Sequence, residues 1–357
     1  MRVALRSWLA SNPRPTGREL ADAGYVAPHW PRPWGLEAGP VDQLVIDEEL
    51  RRAGLKRPVN PIGIGWAGPT LIEAGSDAQK ARYLPRLLSG EDFWCQLFSE
   101  PEAGSDLAGL STKAERDGDR WIVSGQKIWT SYAHIASFGI LLARTDPQAP
   151  KHSGNSYFVC PMDSPGITVR PIVDMTGDHA FNEVFLDDVE LGAEHLVGDP
   201  GQGWSLAKVT LSNERISLSG EGALWGQGPT AEGLVEQLKA SGGVTDPVLR
   251  QRVARVWSEG EILRLLRLRT VGALVQGRQP GPEASVRKAI ADAHGQHVME
   301  LAVDLDGAAG MLGSRPVWSK GFLFSAALTI GGGTAEVQRN IVAERLLGLP
   351  HDLQAAG

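Results

Sequence analysis

Cysteine is almost missing from this chain: Cys95 and Cys160 are the only two in 357 residues, far apart and outside any Cys-x-x-Cys or Cys/His cluster. That spacing indicates neither a disulfide framework nor a zinc site, and it fits a reducing, cytoplasmic compartment. Positive charge is not in excess either. With 35 Lys and Arg against 42 Asp and Glu the formal net charge is -7, and no basic run or aromatic-basic stripe occurs. A nucleic-acid partner is therefore not expected, because such proteins neutralise phosphates with a basic face. Long apolar runs are absent as well, with no window near the roughly 18 apolar residues of a membrane span. The opening MRVALRSWLASNPRP has too short an apolar stretch for a signal peptide, so a soluble, intracellular protein with no membrane span is expected. There is no internal repeat and no low-complexity segment. What remains is an ordinary globular composition, 42% hydrophobic and 22% charged, with length for two or three structural units.

The hydrophobic period changes twice along the chain. Val41 to Ala53 and Ser76 to Leu88 carry apolar residues three and four apart, which predicts helices, and Trp30 to Trp34 and Pro58 to Pro61 punctuate them. Beyond Phe93 the period becomes two. Ala114 to Arg116 and Arg120 to Gly125 flank Asp117-Gly118, a hairpin signal because a tight turn needs positive φ. Gly139 to Arg144, Ser156 to Met162, Ile167 to Ile172 and Glu183 to Leu191 follow at the spacing of an antiparallel barrel or sandwich. Helical periodicity returns from Trp204 to about Leu224, in Val248 to Gln276, in Pro282 to Leu312 and from Thr334 to Leu347, with Pro280-Gly281-Pro282 as a break. The expected fold is α+β and multidomain: an N-terminal helical domain over 1–93, a central β domain over 94–200 and a C-terminal four-helix bundle over 201–357.

Two stretches carry more than periodicity. The first holds Ser99-Glu100-Pro101-Glu102-Ala103-Gly104-Ser105-Asp106, then Gln126-Lys127-Ile128-Trp129-Thr130-Ser131; the second holds Gly333-Thr334-Ala335-Glu336-Val337-Gln338-Arg339-Asn340. A tryptophan in a strand is usually core, and a glycine-rich turn before a helix is usually only a turn. In this joint order and spacing, however, Trp94 to Thr145 and Gly331 to Pro350 closely resemble the acyl-CoA dehydrogenase family. Weaker similarity at Asn182-Glu183-Val184-Phe185, Leu196-Val197-Gly198 and Gly203-Trp204 extends the resemblance over most of the chain. The family's fold has the same order of parts, and the resemblance implies a central antiparallel β-barrel.

The resemblance implies FAD as cofactor and no metal. A flavin needs an apolar ring face, a hydrogen bond at its reactive nitrogen and donors for its pyrimidine end, because the protein's part is to orient and tune it. By resemblance, the flavin-facing run is Trp129-Thr130-Ser131, with Trp129 packed on the isoalloxazine and Ser131 bonding near the reactive nitrogen. Gln96, Leu97, Phe98 and Ser99 offer groups to the ring and its pyrimidine edge, and Gly333, Thr334 and Glu336 close over the other side. Ser105 belongs where the coenzyme A arm or the cofactor phosphates pass; with Gly332 and Gly333 it is a substrate-binding candidate.

Taking the α-proton of a thioester requires a carboxylate of raised pKa within about 3 Å, in a water-poor pocket. Many family members place it just before the Gly-Thr of the last motif, but that position here is Gly332. On this alone the chain would be an inactive homologue. A subgroup resembling the isovaleryl-CoA and long-chain dehydrogenases instead carries the base in a Glu-Arg pair on the first helix of the C-terminal domain. Leu211-Ser212-Asn213-Glu214-Arg215 matches that place. On a helix, Thr210, Leu211, Ser217 and Leu218 lie three or four residues from Glu214 and supply no cation. The alternative is a structural glutamate paired with a distant arginine. In the resemblance's mechanism Glu214 takes the α-proton, the β-hydrogen leaves as hydride to the flavin, and a trans-2-enoyl-CoA results; electrons then pass to an electron-transfer flavoprotein.

The chain departs from the family where many homotetramers hold the adenine end of FAD across subunits. There is no arginine between Arg215 and Arg250, no phenylalanine between Phe185 and Phe322, and the family's Gly-Gly-Asn-Gly turn reads Asp306-Gly307-Ala308-Ala309-Gly310. An oligomer is expected, either divergent or a heteromer resembling the α2β2 enzymes of bacterial sterol side-chain breakdown, in which a second acyl-CoA dehydrogenase-like chain completes the site. Two other functions stay open: a non-catalytic subunit of such a heteromer, and a flavin monooxygenase on the same fold. The longer family oxidases carry a further domain for which 357 residues leave no room.

Overall fold

Local capping signals set the helices of the first ninety residues. α1 (Arg2–Ser11), α2 (Gly17–Asp22), α3 (Pro40–Arg52), a π-turn (Gly63–Ala67), α4 (Gly68–Ala74) and α5 (Asp77–Ser89) follow in order in the computed structural model, which describes residues 1–218, 229–276, 281–313 and 316–350. Thr16 with Glu19 and Ser76 with Gln79 form complete capping boxes at the starts of α2 and α5, satisfying N–H groups that a helix leaves unpaired. Glu49, 4% exposed on α3, accepts from Arg6 Nε at 2.6 Å and so ties α1 to α3. Gln79 donates to the carbonyls of Glu194 and Leu196 at 2.8 Å, fastening α5 to the last turn of the central part and its final short strand, Leu196–Val197.

Eight strands follow: β1 (Trp94–Leu97), β2 (Lys113–Asp117), β3 (Arg120–Lys127), β4 (Phe138–Arg144), β5 (Asn155–Pro161), β6 (Ile167–Ile172), β7 (Phe181–Gly192) and β8 (Leu196–Val197). The expected hairpin is present, with β2 antiparallel to β3 and Gly118 at φ +64°. The strand order is β6-β7-β3-β2-β4-β5-β8, and β1 adds to β4. This corrects two expectations. β1 pairs with β4 in parallel, register Trp94 to Phe138; the long path from Phe98 to Ser137 supplies the crossover that parallel strands require. The sheet is also not closed into a barrel, since β6 and β8 end the hydrogen-bonded path without pairing. β6 contains Pro171, which cannot donate to a ladder, and β8 is only two residues long. The sheet core gathers Leu97, Val123, Leu141, Phe158, Val184 and Val189.

By internal contacts the chain divides into two compact units, Met1–Asn213 and one beginning at Glu214. The boundary falls within α6 (Gly203–Leu218); the expected continuation over 219–224 lies outside the described residues. The second unit contains α7 (Ala231–Ala240), α8 (Pro247–Val275), α9 (Glu283–Asp306), α10 (Ala308–Met311), α11 (Pro316–Ser325) and α12 (Ala335–Arg345). Rather than four equivalent helices, the described ones gather around α9, which packs on α7, α8, α10, α11 and α12. The short α7, α10 and α11 make this more elaborate than the expected four-helix bundle; Gly307, at positive φ, breaks the helical run that the periodicity predicted through Leu312, and Gly313, also at positive φ, follows its end. Lys288 and Asp292 on α9 form a fully interior pair at 2.6 Å. Burial pushes the Asp292 carboxyl up to about 6, with Lys288 opposing that rise. No helix among the described residues is long and apolar enough to cross a membrane.

One glycine is fixed by contact. β3 bulges between Val123 and Gly125, and a Cβ at Gly125 would meet Thr112 Oγ1 at 2.4 Å and Thr112 Cα at 2.7 Å. Gly125→Ala should therefore cost about 1–3 kcal/mol by overpacking, measured as a lower urea midpoint.

Candidate active site

The flavin-facing candidates in the first unit lie on two segments that backbone hydrogen bonds join. Ile128 N donates to Ser99 O at 2.9 Å, which sets the end of β3 beside the segment that follows β1. Beyond it, Thr130 N donates to Asn182 O and Asn182 Nδ2 returns a bond to Thr130 O, both at 3.0 Å. Tyr132 N donates to Ala180 O at 2.7 Å. The loop 128–132 is thus pinned from two sides. Within it Trp129 and Tyr132 both adopt φ of +59°, a conformation costing about 1–3 kcal/mol for residues other than glycine. Trp129 is 57% exposed and meets Phe181 edge-on at a centroid distance of 6.0 Å. The ring predicted to face a cofactor is therefore accessible and held from one edge.

Two buried polar atoms on these segments, Gln96 Nε2 and Thr130 Oγ1, have no hydrogen-bond partner among the described residues. Buried donors and hydroxyls are normally satisfied, and a flavin offers a ring of acceptors and an N–H that such groups take. The segment therefore fits FAD, with Gln96 to Ser99 on one side and Trp129 to Ser131 on the other. Ser105 is exposed on the turn that precedes Asp106, whose carboxylate pairs with Lys151 at 2.8 Å.

Beneath both segments lies a buried charge pair that the sequence reading passed over. Lys127, wholly buried, donates to Glu100 Oε1 at 2.8 Å, Leu142 O at 2.8 Å and Phe98 O at 3.1 Å. Glu100 also accepts from Ser111 N and Oγ at 2.7 Å and from Thr112 N at 2.9 Å. Burial alone raises the Glu100 carboxyl, but Lys127 and these hydrogen bonds outweigh it and hold it at about 2. Burial lowers Lys127 to about 8, with Glu100 opposing. A signal existed in the sequence: in β3 the inward positions Trp121 and Val123 alternate toward Lys127, and a lysine facing a core must find a carboxylate.

Glu214 stands on α6 and is 7% exposed. One turn earlier, Thr210 is anchored within the first unit by Tyr157 OH at 3.0 Å and by Thr70 Oγ1 at 2.8 Å, and Thr70 Oγ1 donates to Trp66 O at 3.0 Å. The three hydroxyls form one buried cluster, with the Leu206 carbonyl accepting from Thr210 at 3.2 Å and the Trp66 carbonyl from Thr70 at 3.0 Å. Burial pushes the Tyr157 phenol up, so it remains a donor. The cluster ties α6 at Thr210 to Tyr157 on β5 and Thr70 on α4.

In the second unit Gly332 and Gly333 take φ of +67° and +91°. Their carbonyls both accept from the buried Gln338 Nε2 at 3.1 Å. Thr334 is the N-cap of α12, its hydroxyl accepting from Val337 N at 3.3 Å. Glu336 is exposed and lies 3.4 Å from Arg339. The candidates here therefore form one capped turn.

Family models described as the N-terminal, middle and C-terminal domains of acyl-CoA dehydrogenase match residues 4–91, 95–189 and 201–347. The chain is 45% identical to the acyl-CoA dehydrogenase FadE34 of Mycobacterium tuberculosis over 93% of its own length, and spans 45% of the length of that relative. It is 40% identical to the acyl-CoA dehydrogenase IpdE1 of the same organism, covering 95% of this chain and 88% of that one. Among solved structures, the Tcur3481-Tcur3483 steroid ACAD is similar with a TM-score of 0.81 and 31% identity, covering 98% of this chain and 97% of the other. The ChsE4-ChsE5 complex of Mycobacterium tuberculosis gives 0.79 and 29%, covering 98% and 97%.

Two outcomes test the site's framework. Thr210→Val removes the hydroxyl that bonds both Tyr157 and Thr70 in a sealed interior, so stability should fall by about 1–3 kcal/mol, read by chemical denaturation. For Glu100 the folded pKa lies below the unfolded value of about 4.3. Its contribution is thus complete above that pH and lost as pH falls through about 2. The urea-midpoint gap between wild type and Glu100→Gln should be wide at pH 7 and narrow below about pH 4.

Proposed function

This chain belongs to the acyl-CoA dehydrogenase family, a family of FAD-dependent oxidoreductases, and from that premise we propose that it dehydrogenates an acyl-CoA thioester between its α and β carbons, giving a trans-2-enoyl-CoA. One observation carries the reading. Gly332 stands where many members have the base, while the buried Glu214 occupies the subgroup's alternative place on α6. In this reading Glu214 takes the α-proton, and its burial keeps water from competing for it. Backbone N–H groups of the Gly332-Gly333 turn polarise the thioester oxygen, stabilising the enolate-like charge that develops as the proton leaves. Bound FAD supplies the acceptor for the β-hydride. Gln96, Thr130 and Ser131 would orient it, Trp129 would cover its ring, Thr334 and Glu336 would border it, and Ser105 would meet the coenzyme A arm.

The proposed electron acceptor is an electron-transfer flavoprotein, and the proposed location is the cytoplasm. The division at residues 93 and 200 into helical, β and helical domains is supported by the three matched family segments. For assembly we favour an α2β2 heteromer with a second acyl-CoA dehydrogenase-like chain. The missing arginine-phenylalanine and Gly-Gly-Asn-Gly elements support it, as does the likeness to a structure described as the ChsE4-ChsE5 complex. A bulky acyl group, branched or steroidal, is supported by the likeness to a protein described as a steroid ACAD.

The test is anaerobic bleaching of the flavin by short straight, branched and steroidal acyl-CoA esters, with the chain alone and with a candidate partner chain. Glu214→Gln should slow bleaching by about 10²–10⁴-fold at unchanged FAD content. An unchanged rate would remove Glu214 from the reaction, and strict preference for short straight chains would contradict the bulky substrate.

A further inference from the structure

A lysine with no exposed surface is an expensive residue to keep. Lys127 is such a residue, and its partner Glu100 has a side chain only 3% exposed. Replacing both members of a buried ion pair by apolar groups of similar volume is often neutral or stabilising, whereas removing one is strongly destabilising. The pair is therefore poorly explained as a source of stability. Its connections explain it better. The three Lys127 bonds reach Phe98, inside the segment 96–99, Glu100 just past that segment, and Leu142 on the neighbouring strand β4. Lys127 itself is the last residue of β3, two before Trp129. Glu100 then anchors Ser111 and Thr112 at the entry to β2. A single ammonium thus sets the separation between the two segments that carry the orphaned groups of Gln96 and Thr130. The one direct backbone bond between those segments is Ile128 N to Ser99 O, at 2.9 Å.

We propose that the buried Lys127–Glu100 pair is a positioning device for the cofactor: it holds segments 96–99 and 128–131 at the spacing FAD binding needs, and adds little to global stability. The geometric half of the proposal stands on the fold alone, while its consequence for FAD rests on the functional reading above. An apolar contact cannot replace the pair in this role, because it has no direction, whereas three ammonium donors aimed at two carbonyls and a carboxylate define distances. Both groups are charged at neutral pH, since Glu100 is held at about 2 and Lys127 at about 8.

The experiment uses the full chain, with its partner chain where one is required, and the double variant Lys127→Met with Glu100→Leu, which leaves no charge buried. Three quantities are compared with wild type: the urea midpoint, amide hydrogen exchange at Ile128 and Thr130, and the dissociation constant for FAD titrated into the apoprotein. The expected result is a midpoint unchanged or higher, exchange at both amides at least tenfold faster and FAD bound at least tenfold more weakly. Exchange and FAD affinity equal to wild type would overturn the proposal, as would a loss of midpoint that accounts for both changes. Should the double variant fail to fold, Lys127→Arg keeps the charge but changes the donor geometry; faster exchange at the same amides with an unchanged midpoint supports the proposal, and wild-type exchange overturns it. A wild-type chain that takes up no FAD, alone or with a partner, defeats the functional reading instead, and the exchange measurement still decides the positioning role.

Discussion

Taking an ammonium out of water costs several kcal/mol unless each of its protons finds an acceptor, and around Lys127 the first unit is arranged so that each does. Its acceptors come from two separate stretches of chain: the segment after β1, through Phe98 and Glu100, and β4. Those stretches must lie where they do, or the charge is left unpaired. Glu100 carries the constraint onward to Ser111 and Thr112, where Gly125 leaves just enough room for Thr112 to approach β3. The loop bearing Trp129 leaves from the end of this same strand, so its position is inherited from the charge pair.

A second buried polar system does for α6 what the pair does for the sheet. Thr70, Tyr157 and Thr210 are all inaccessible to solvent, and their hydroxyls form one cluster with the Leu206 and Trp66 carbonyls. Such networks strengthen cooperatively and tolerate little displacement. Beside these networks Gln96 Nε2 and Thr130 Oγ1 have no hydrogen-bond partner among the described residues, and in the proposed reading they are the groups that meet the cofactor. In the second unit, Gln338 ties both glycine carbonyls of the 332–333 turn to α12, giving that turn a defined shape although its residues have no side chains.

Much of this was open to inspection in the primary structure. Strand and helix periods placed β2 through β7 and α3, α5, α8 and α12 within a residue or two, because a half-buried strand and a one-sided helix must repeat their apolar residues at two and at three or four. The helix expected from Thr334 does start there, and the Asp117-Gly118 turn announced itself as a hairpin. β1 and β8 gave no such signal, being four residues or fewer. The direction of β1 was equally hidden, since parallel pairing depends on the path of forty intervening residues and not on any local pattern.

The sequence by itself determined the family, the order of helical and sheet parts, and which residue types were available for the chemistry: a tryptophan with neighbouring hydroxyls, and Glu214 as the candidate base where position 332 is glycine. These are properties of short motifs and local periods. Only the tertiary structure decided that Lys127 meets Glu100, that Thr210 joins Tyr157 to Thr70, that Gln96 and Thr130 keep unpaired polar atoms, and that the sheet remains open. Each of these is a question of which distant groups meet once water is excluded, and a hydrogen bond between residues 140 apart, as between Thr70 and Thr210, leaves no trace in the local pattern of either.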